Sequence, residues 1–253
     1  MKSGISFSVC VRLIILCVTV SGCIFSSGSE KKEDTRPRVI SANFPDGAVF
    51  VTRDTTISWT GAGGATNYRY VLDGDSSSWI DTTTTRLTDL DEGAHALVFI
   101  ARRDSTTGPQ KTLTFTVDAV KGPAVTLSPR RISSPGYVTV TLEDVDSLLA
   151  AHIELECIDS CARITAFEPS ETYTGEGQLV TVTNGLSTAR LRLDVGFPGA
   201  GAGASGSFPV GRIYITPLTP VGTVEVDTLA TEFRNLRNGD IPVHDIDFTR
   251  VVR

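Results

Sequence analysis

The sequence is poor in the residues that chemistry usually requires. Its 253 residues include one Met, three His and two Trp, and aromatic side chains make up only 7%. Catalysis needs a nucleophile or acid with an oriented partner, and His95, His152 and His244 each stand without a companion motif. The sequence therefore nominates no catalytic residue, no cofactor-binding residue and no metal ligand set. Basic residues are in the minority too, 23 against 29 acids. Two of them, Lys2 and Arg12, belong to an N-terminal leader, so 21 basic and 29 acidic side chains follow it, a net of −8. Such a balance disfavours nonspecific nucleic-acid binding, which rests on basic patches meeting phosphate. A membrane-crossing run is also missing from the leader, where the apolar stretch Leu13 to Val20 is far shorter than the roughly 20 residues a span needs. Disorder is excluded by what remains, since 40% hydrophobic and 21% charged residues supply enough apolar surface for a core.

Lys2 and Arg12 ahead of a short apolar stretch read as an export signal over residues 1–22. The stretch closes on Val20-Ser21-Gly22-Cys23, which resembles the lipobox of bacterial lipoproteins. That resemblance implies acylation of Cys23, its becoming the first mature residue, and a lipid anchor in the membrane. Ile24 follows where some lipoproteins carry an inner-membrane retention Asp, so an outer-membrane or cell-surface position in a bacterial envelope is implied. Residues 23–37 hold small and charged side chains after the first few positions and read as a flexible tether.

Of the five Cys, Cys10 and Cys17 leave with the signal and Cys23 takes lipid. Cys157 and Cys161 remain, and in an oxidising compartment this pair most simply closes a short disulfide loop. Free thiols and a reactive pair are the alternatives. A redox motif would want Cys-x-x-Cys at a helix start, and here the flanks read as strands.

From Arg38 to Ala119, short runs rich in Val, Ile, Thr and aromatics are broken by Gly, Asp and Asn. Strands are expected near Val39–Phe44, Ala48–Val51, Thr55–Thr60, Asn67–Leu72, Thr85–Leu90, Ala94–Ala101 and Thr112–Asp118, the spacing of a β-sandwich. Ile57, Trp59, Tyr68, Tyr70, Leu87, Leu90, Phe99 and Phe115 are its expected core. The runs around Trp59, Tyr68-Arg-Tyr70-Val-Leu-Asp73-Gly74, Leu87-Thr-Asp-Leu90 and Phe115 resemble fibronectin type III/Ig-like modules. His95 stands where many relatives carry a corner Tyr that bonds nearby backbone, and is expected to pack and cap.

Lys121-Gly122-Pro123 reads as the joint to a second module, residues 122–253. Nine strands are expected there, near Ala124–Ser128, Tyr137–Leu142, Ala150–Cys157, Ala162–Phe167, Leu179–Thr183, Thr188–Val195, Val210–Thr216, Thr223–Asp227 and Asp245–Val252. Leu191, Leu193 and Val195 alternate with Arg190, Arg192 and Asp194, a period of two that sets which residues face inward. Ile153, Leu155 and Cys157 do the same, as do Ile213 with Ile215 and Val224 with Val226. The stretches Pro135-Gly136-Tyr137 to Val145, His152-Ile-Glu-Leu155-Glu-Cys, Ile164-Thr-Ala-Phe167, Val210-Gly-Arg-Ile213-Tyr-Ile215 and Asn238-Gly239-Asp-Ile241 resemble cohesin domains. The fold class is thus expected to be all-β, two consecutive sandwiches, the second a cohesin-like jelly roll. That resemblance implies a non-enzymatic recognition role toward a protein, dockerin-like, or a carbohydrate, in adhesion or scaffolding; a purely structural envelope component and a polysaccharide-binding accessory are the alternatives.

Three further features invite a site. Asp73-Gly-Asp75-Ser-Ser77 has calcium-loop colouring but lacks the Gly and Glu an EF-hand needs, and reads as a hairpin turn. Asp240, Asp245 and Asp247, or Glu143, Asp144 and Asp146, could hold surface calcium or simply be solvated strand ends. Phe197 to Phe208, rich in Gly, Ala and Ser, lacks a phosphate-loop ending or a nucleophile frame and reads as a mobile loop pinned by its aromatic ends.

Overall fold

The computed structural model describes residues 34–227 and 229–252. The leader, Cys23 and most of the tether lie outside these residues. The regular structure of the described chain is all strand apart from one 3-10 turn at Ile158–Ser160. The first sandwich contains β1 (Arg38–Ala42), β2 (Ala48–Phe50), β3 (Thr55–Ala62), β4 (Asn67–Leu72), β5 (Asp75–Ser76), β6 (Thr84–Leu87), β7 (Gly93–Arg103), β8 (Thr106–Thr107) and β9 (Lys111–Val117). A sheet ordered β1-β3-β6 faces one ordered β2-β9-β7-β4-β5. Between them lies the aromatic core anticipated from sequence: Ile57, Trp59, Tyr68, Leu87, Leu90, Phe99 and Phe115 are buried, while Tyr70 is only partly covered. His95 is buried and stacks on Phe115 at 5.0 Å. Its Nε2 reaches the Asp91 carbonyl at 2.8 Å, the backbone tie that a corner Tyr would make, and its Nδ1 meets the Asp73 carboxylate at 2.7 Å. Asp73 and Gly74, both at positive φ, form the tight turn between β4 and β5, so this acidic stretch is a hairpin.

The second sandwich contains β10 (Ala124–Ser128), β11 (Arg131–Ile132), β12 (Gly136–Cys157), β13 (Ala162–Pro169), β14 (Val180–Leu186), β15 (Arg190–Gly196), β16 (Ala204–Pro217), β17 (Val221–Val226), β18 (Glu232–Asn235), β19 (Asp240–Ile241), β20 (Asp245–Ile246) and β21 (Phe248–Val252). Its organising element is β12, 22 residues long. The first half of β12 lies between β10 and β16, with β13 beyond; the second half lies between β15 and the β17 and β18 strands, with β14 beyond β15. One strand thus ties all twelve strands of this sandwich into a single hydrogen-bonded sheet. The sequence reading divides it into Tyr137–Leu142 and Ala150–Cys157, with Glu143, Asp144 and Asp146 between them as calcium candidates or solvated strand ends. The structure keeps the strand continuous and bends it through three register shifts against β16, the second and third spanning Asp144 and Ser147 at φ of 50° and 54°.

The Gly/Ala/Ser segment explains how those bends are satisfied. Ser207 Oγ accepts from the Asp144 backbone N–H at 3.0 Å and Ser205 Oγ from that of Ser147 at 3.1 Å. Gly203, at φ 82°, lies so close that a Cβ there would sit 2.6 Å from the Ser147 backbone. The expectation of a mobile loop is therefore corrected: residues 204–208 belong to β16 and pair with β12. The pinning by Phe197 and Phe208 holds, since both are buried with rings 5.4 Å apart and Tyr173 packs against both.

Inward alternation is as the period predicts, with Leu191, Leu193, Val195, Ile153, Leu155, Ile213, Ile215, Val224 and Val226 all in the core. Cys157 and Cys161 join them, and both are free thiols. The expected disulfide is not formed in this structure: Cys161 Sγ instead points to the Thr223 carbonyl at 3.2 Å. Burial pushes the Cys157 thiol up to about 12, which removes the thiolate that attack on a reagent requires. In the folded chain Cys157 should resist alkylation at pH 8 and react after denaturation. Peptide mass mapping of residues 153–163 checks this, and a bridged peptide under non-reducing conditions would contradict the free-thiol state.

Candidate recognition face and the joint between sandwiches

The outer face of the β14–β15–β12 sheet carries a ladder of opposed charges. Antiparallel register puts His152 opposite Asp194, Glu154 opposite Arg192 and Glu156 opposite Arg190. The contacts are short: His152 Nδ1 lies 2.6 Å from the Asp194 carboxylate, and the ion pairs run from Arg190 to Glu154 and to Glu156 at 2.8 Å each and from Arg192 to Glu154 at 3.1 Å. Glu154 is buried beneath its two arginines, and its backbone N–H donates to the Thr231 hydroxyl at 3.3 Å. The Glu154 and Glu156 carboxylates, adjacent on one strand face, are thus each matched by a guanidinium rather than by each other. Such cross-strand pairs hold the arginine heads in place.

Beside the ladder, β14 presents exposed Val180 and Val182, the latter directly opposite Asp194. Leu186 is exposed at the end of the β14–β15 hairpin, where Gly185, Ser187, Arg190 and Arg192 surround a depression of about 220 Å³. Arginine is enriched at protein interfaces and their buried centres are more apolar than the rim, which this face matches with aliphatic rather than aromatic side chains.

A second cluster lies where the sandwiches meet. Asp247 is buried and accepts from Arg53 of the first sandwich at 2.6 Å, from Arg130 of the second, and from the Leu127 and Phe248 backbone N–H groups at 3.0 and 2.8 Å. Arg53 also reaches Glu92 at 3.0 Å. Asp91 accepts from the Arg130 backbone N–H at 2.7 Å and from the Ser128 hydroxyl at 3.1 Å. Burial raises the carboxyls of Asp91, Asp247 and Glu143, with the Arg53 guanidinium pulling Asp247 back. Ions held at such a desolvation cost specify geometry more than they add stability.

The candidate calcium acids are dispersed by this arrangement. Asp247 is a joint residue, Asp240 pairs with Arg234, and Asp144 and Asp146 accept from Ser207 and Ser205. Among the described residues no group of three or more His, Cys, Asp or Glu is placed to hold a metal ion. Cys23 lies outside them. The joint had no local signal in the sequence, because Arg53 and Asp247 are 194 positions apart. The ladder did have one, the alternation of Arg190, Arg192 and Asp194.

No protein-family profile and no curated protein matches the chain. Solved structures similar to about half of it are cohesin modules. A non-cellulosomal cohesin from the archaeon Archaeoglobus fulgidus is 12% identical with a TM-score of 0.40, over 51% of this chain and 91% of that one. A cohesin module from a Clostridium perfringens family 33 glycoside hydrolase is 9% identical with a TM-score of 0.42, over 51% and 94%. The second type II cohesin module of the cellulosomal adaptor ScaA scaffoldin of Acetivibrio cellulolyticus is 10% identical with a TM-score of 0.39, over 53% and 98%.

Proposed function

We propose that the chain is a non-enzymatic, lipid-anchored surface protein of a bacterial envelope, outer-membrane or cell-surface facing. In this reading acylated Cys23 holds the membrane, the first sandwich spaces, and the second sandwich recognises a protein. The carrying observation is the ladder of Arg190, Arg192, Glu154 and Glu156 flanked by exposed Val180, Val182 and Leu186. A sheet face of this kind suits a protein surface, and its pre-paired arginines lose little entropy on contact. A dockerin-like module is the partner class that the resemblance noted in the sequence implies.

Val182→Asp and Leu186→Asp test the reading, since both side chains are exposed and neither change disturbs the core. A stoichiometric partner recovered from native envelopes by the full exported chain should bind each variant at least tenfold more weakly, read by calorimetry. Undiminished binding would place recognition elsewhere. A polysaccharide is favoured by one different observation, the exposed Tyr137 with Arg212 laid over its ring at 4.7 Å. Affinity electrophoresis with Tyr137→Ala separates that reading from the protein one.

A further inference from the structure

The first sandwich carries a cationic cluster on the outer face of its larger sheet. Two guanidiniums lie against the Trp79 ring, Arg69 at 4.8 Å and Arg102 at 4.2 Å from its centroid. The Nε atoms of both arginines are buried without a hydrogen-bond partner. Arg103, next along β7, is exposed but leaves the strand on the opposite face and donates one guanidinium N–H to the Gly63 carbonyl at 3.2 Å, so the outer-face cluster itself is Arg69, Arg102 and Trp79. Among the described residues no carboxylate forms an ion pair with Arg69, Arg102 or Arg103, in a chain whose net charge is −6. Asp104 follows Arg103 in sequence and Asp81 lies two residues after Trp79, and neither forms an ion pair with these arginines.

Position gives the cluster its meaning. Asn67 pairs with Arg102 and Arg38 with Ala62, so Arg69, Arg102 and Arg103 lie toward the pole where the chain enters the sandwich. Pro37 packs its carbonyl against Gly108 there, and Arg36 against Gly63. The acid-rich joint is at the other pole, beyond Gly93. Nine residues of β7 separate Gly93 from Arg102, about 30 Å at ~3.3 Å per residue. That is roughly three Debye lengths at 0.1 M salt, so the acids of the joint are screened from this face.

We infer that this arginine–tryptophan face docks on an anionic lipid surface. The inference rests on the anchored reading above, because the tether is what brings this pole toward a membrane. Phosphate headgroups match unpaired guanidiniums, which bind them bidentately, and a ring with an apolar body and a polar N–H suits the interface between headgroup and acyl chain. Each basic side chain near such a surface is worth about 1 kcal/mol, a factor of roughly five in partitioning.

The test uses the full exported chain with Cys23→Ser, so that no acyl chain contributes. Co-sedimentation with phosphatidylglycerol vesicles at 50 mM salt is expected, with little binding to phosphatidylcholine. Arg69→Gln with Arg102→Gln should lower partitioning roughly 25-fold, while Arg237→Gln, exposed on the second sandwich, should leave it unchanged. Brominated lipid should quench Trp79 and spare buried Trp59. Equal binding to both vesicle types, an equal loss with Arg237→Gln, or binding only to a soluble sulfated polysaccharide would overturn the inference. Mass spectrometry of the native N-terminus tests acylation separately, so failure of the anchor and failure of this face are distinguishable.

Discussion

Asp247→Ala should destabilise the folded chain by about 3–5 kcal/mol, the range seen when one partner of a buried ion cluster is removed. The size follows from what is left behind. Arg130 is buried, with its Nε already unpartnered, and Arg53 is five-sixths covered; both would face each other without the carboxylate between them. The Leu127 and Phe248 N–H groups would lose their acceptor as well. Asp247→Asn keeps the shape but not the charge and should fall between the variant and the parent. Thermal unfolding reads the loss at about 2–4 °C per kcal/mol for a chain of this size. A triple change, Arg53→Met, Arg130→Met and Asp247→Leu, should recover only part of it: removing the charges together avoids stranding the guanidiniums, but Glu92 loses its Arg53 partner and the Leu127 and Phe248 N–H groups stay without their acceptor. A drop below 1 kcal/mol for Asp247→Ala would mean the joint is wetter than its burial indicates.

Phe197→Ala is the second large effect, about 3–5 kcal/mol, as for other fully buried aromatics. Phe197 sits in a triad with Phe208 and Tyr173, so its loss leaves a void between two rings that cannot close together without moving β16. It also loosens the segment that carries Ser205 and Ser207 to the bends of β12. Phe197→Leu should keep more of the stability than Ala, because it retains most of the packing contact. Amide exchange at Asp144 and Ser147 offers a local readout, expected to accelerate in the Ala variant beyond what the global loss accounts for.

How much of this was legible in the sequence depended on the range of the interaction. Strand periodicity and the inward sets of β12, β15, β16 and β17 are local, and residues such as Leu191, Leu193 and Val195 face the core as their alternation says. The Asp73-Gly74 turn is local as well. Errors arose where distant groups override local composition. Glu143 to Ser147 reads as a break between two strands, yet serines some sixty positions away satisfy its bends and keep it a strand. The Gly/Ala/Ser segment has the residues of a loose loop, yet the same bonds make half of it sheet. The Cys pair shows a different limit, since spacing alone does not say whether two thiols are bridged. For the recognition face, the alternating charges of β15 were visible but their partners on β12 needed the register. The joint and the Trp79 cluster needed the whole fold.

The path of the chain through the first sandwich has a mechanical corollary. It enters at one pole and leaves at the other, and β2, near its beginning, runs parallel to β9, its last strand. Hydrogen bonds from Gly47 to Thr114 and from Asp118 to Phe50, 2.8 Å each, bracket that pair. Tension applied across the two ends of this sandwich would drag these two strands in opposite directions along their length. Every bond between them would then be strained together in shear, instead of breaking one after another like a zip.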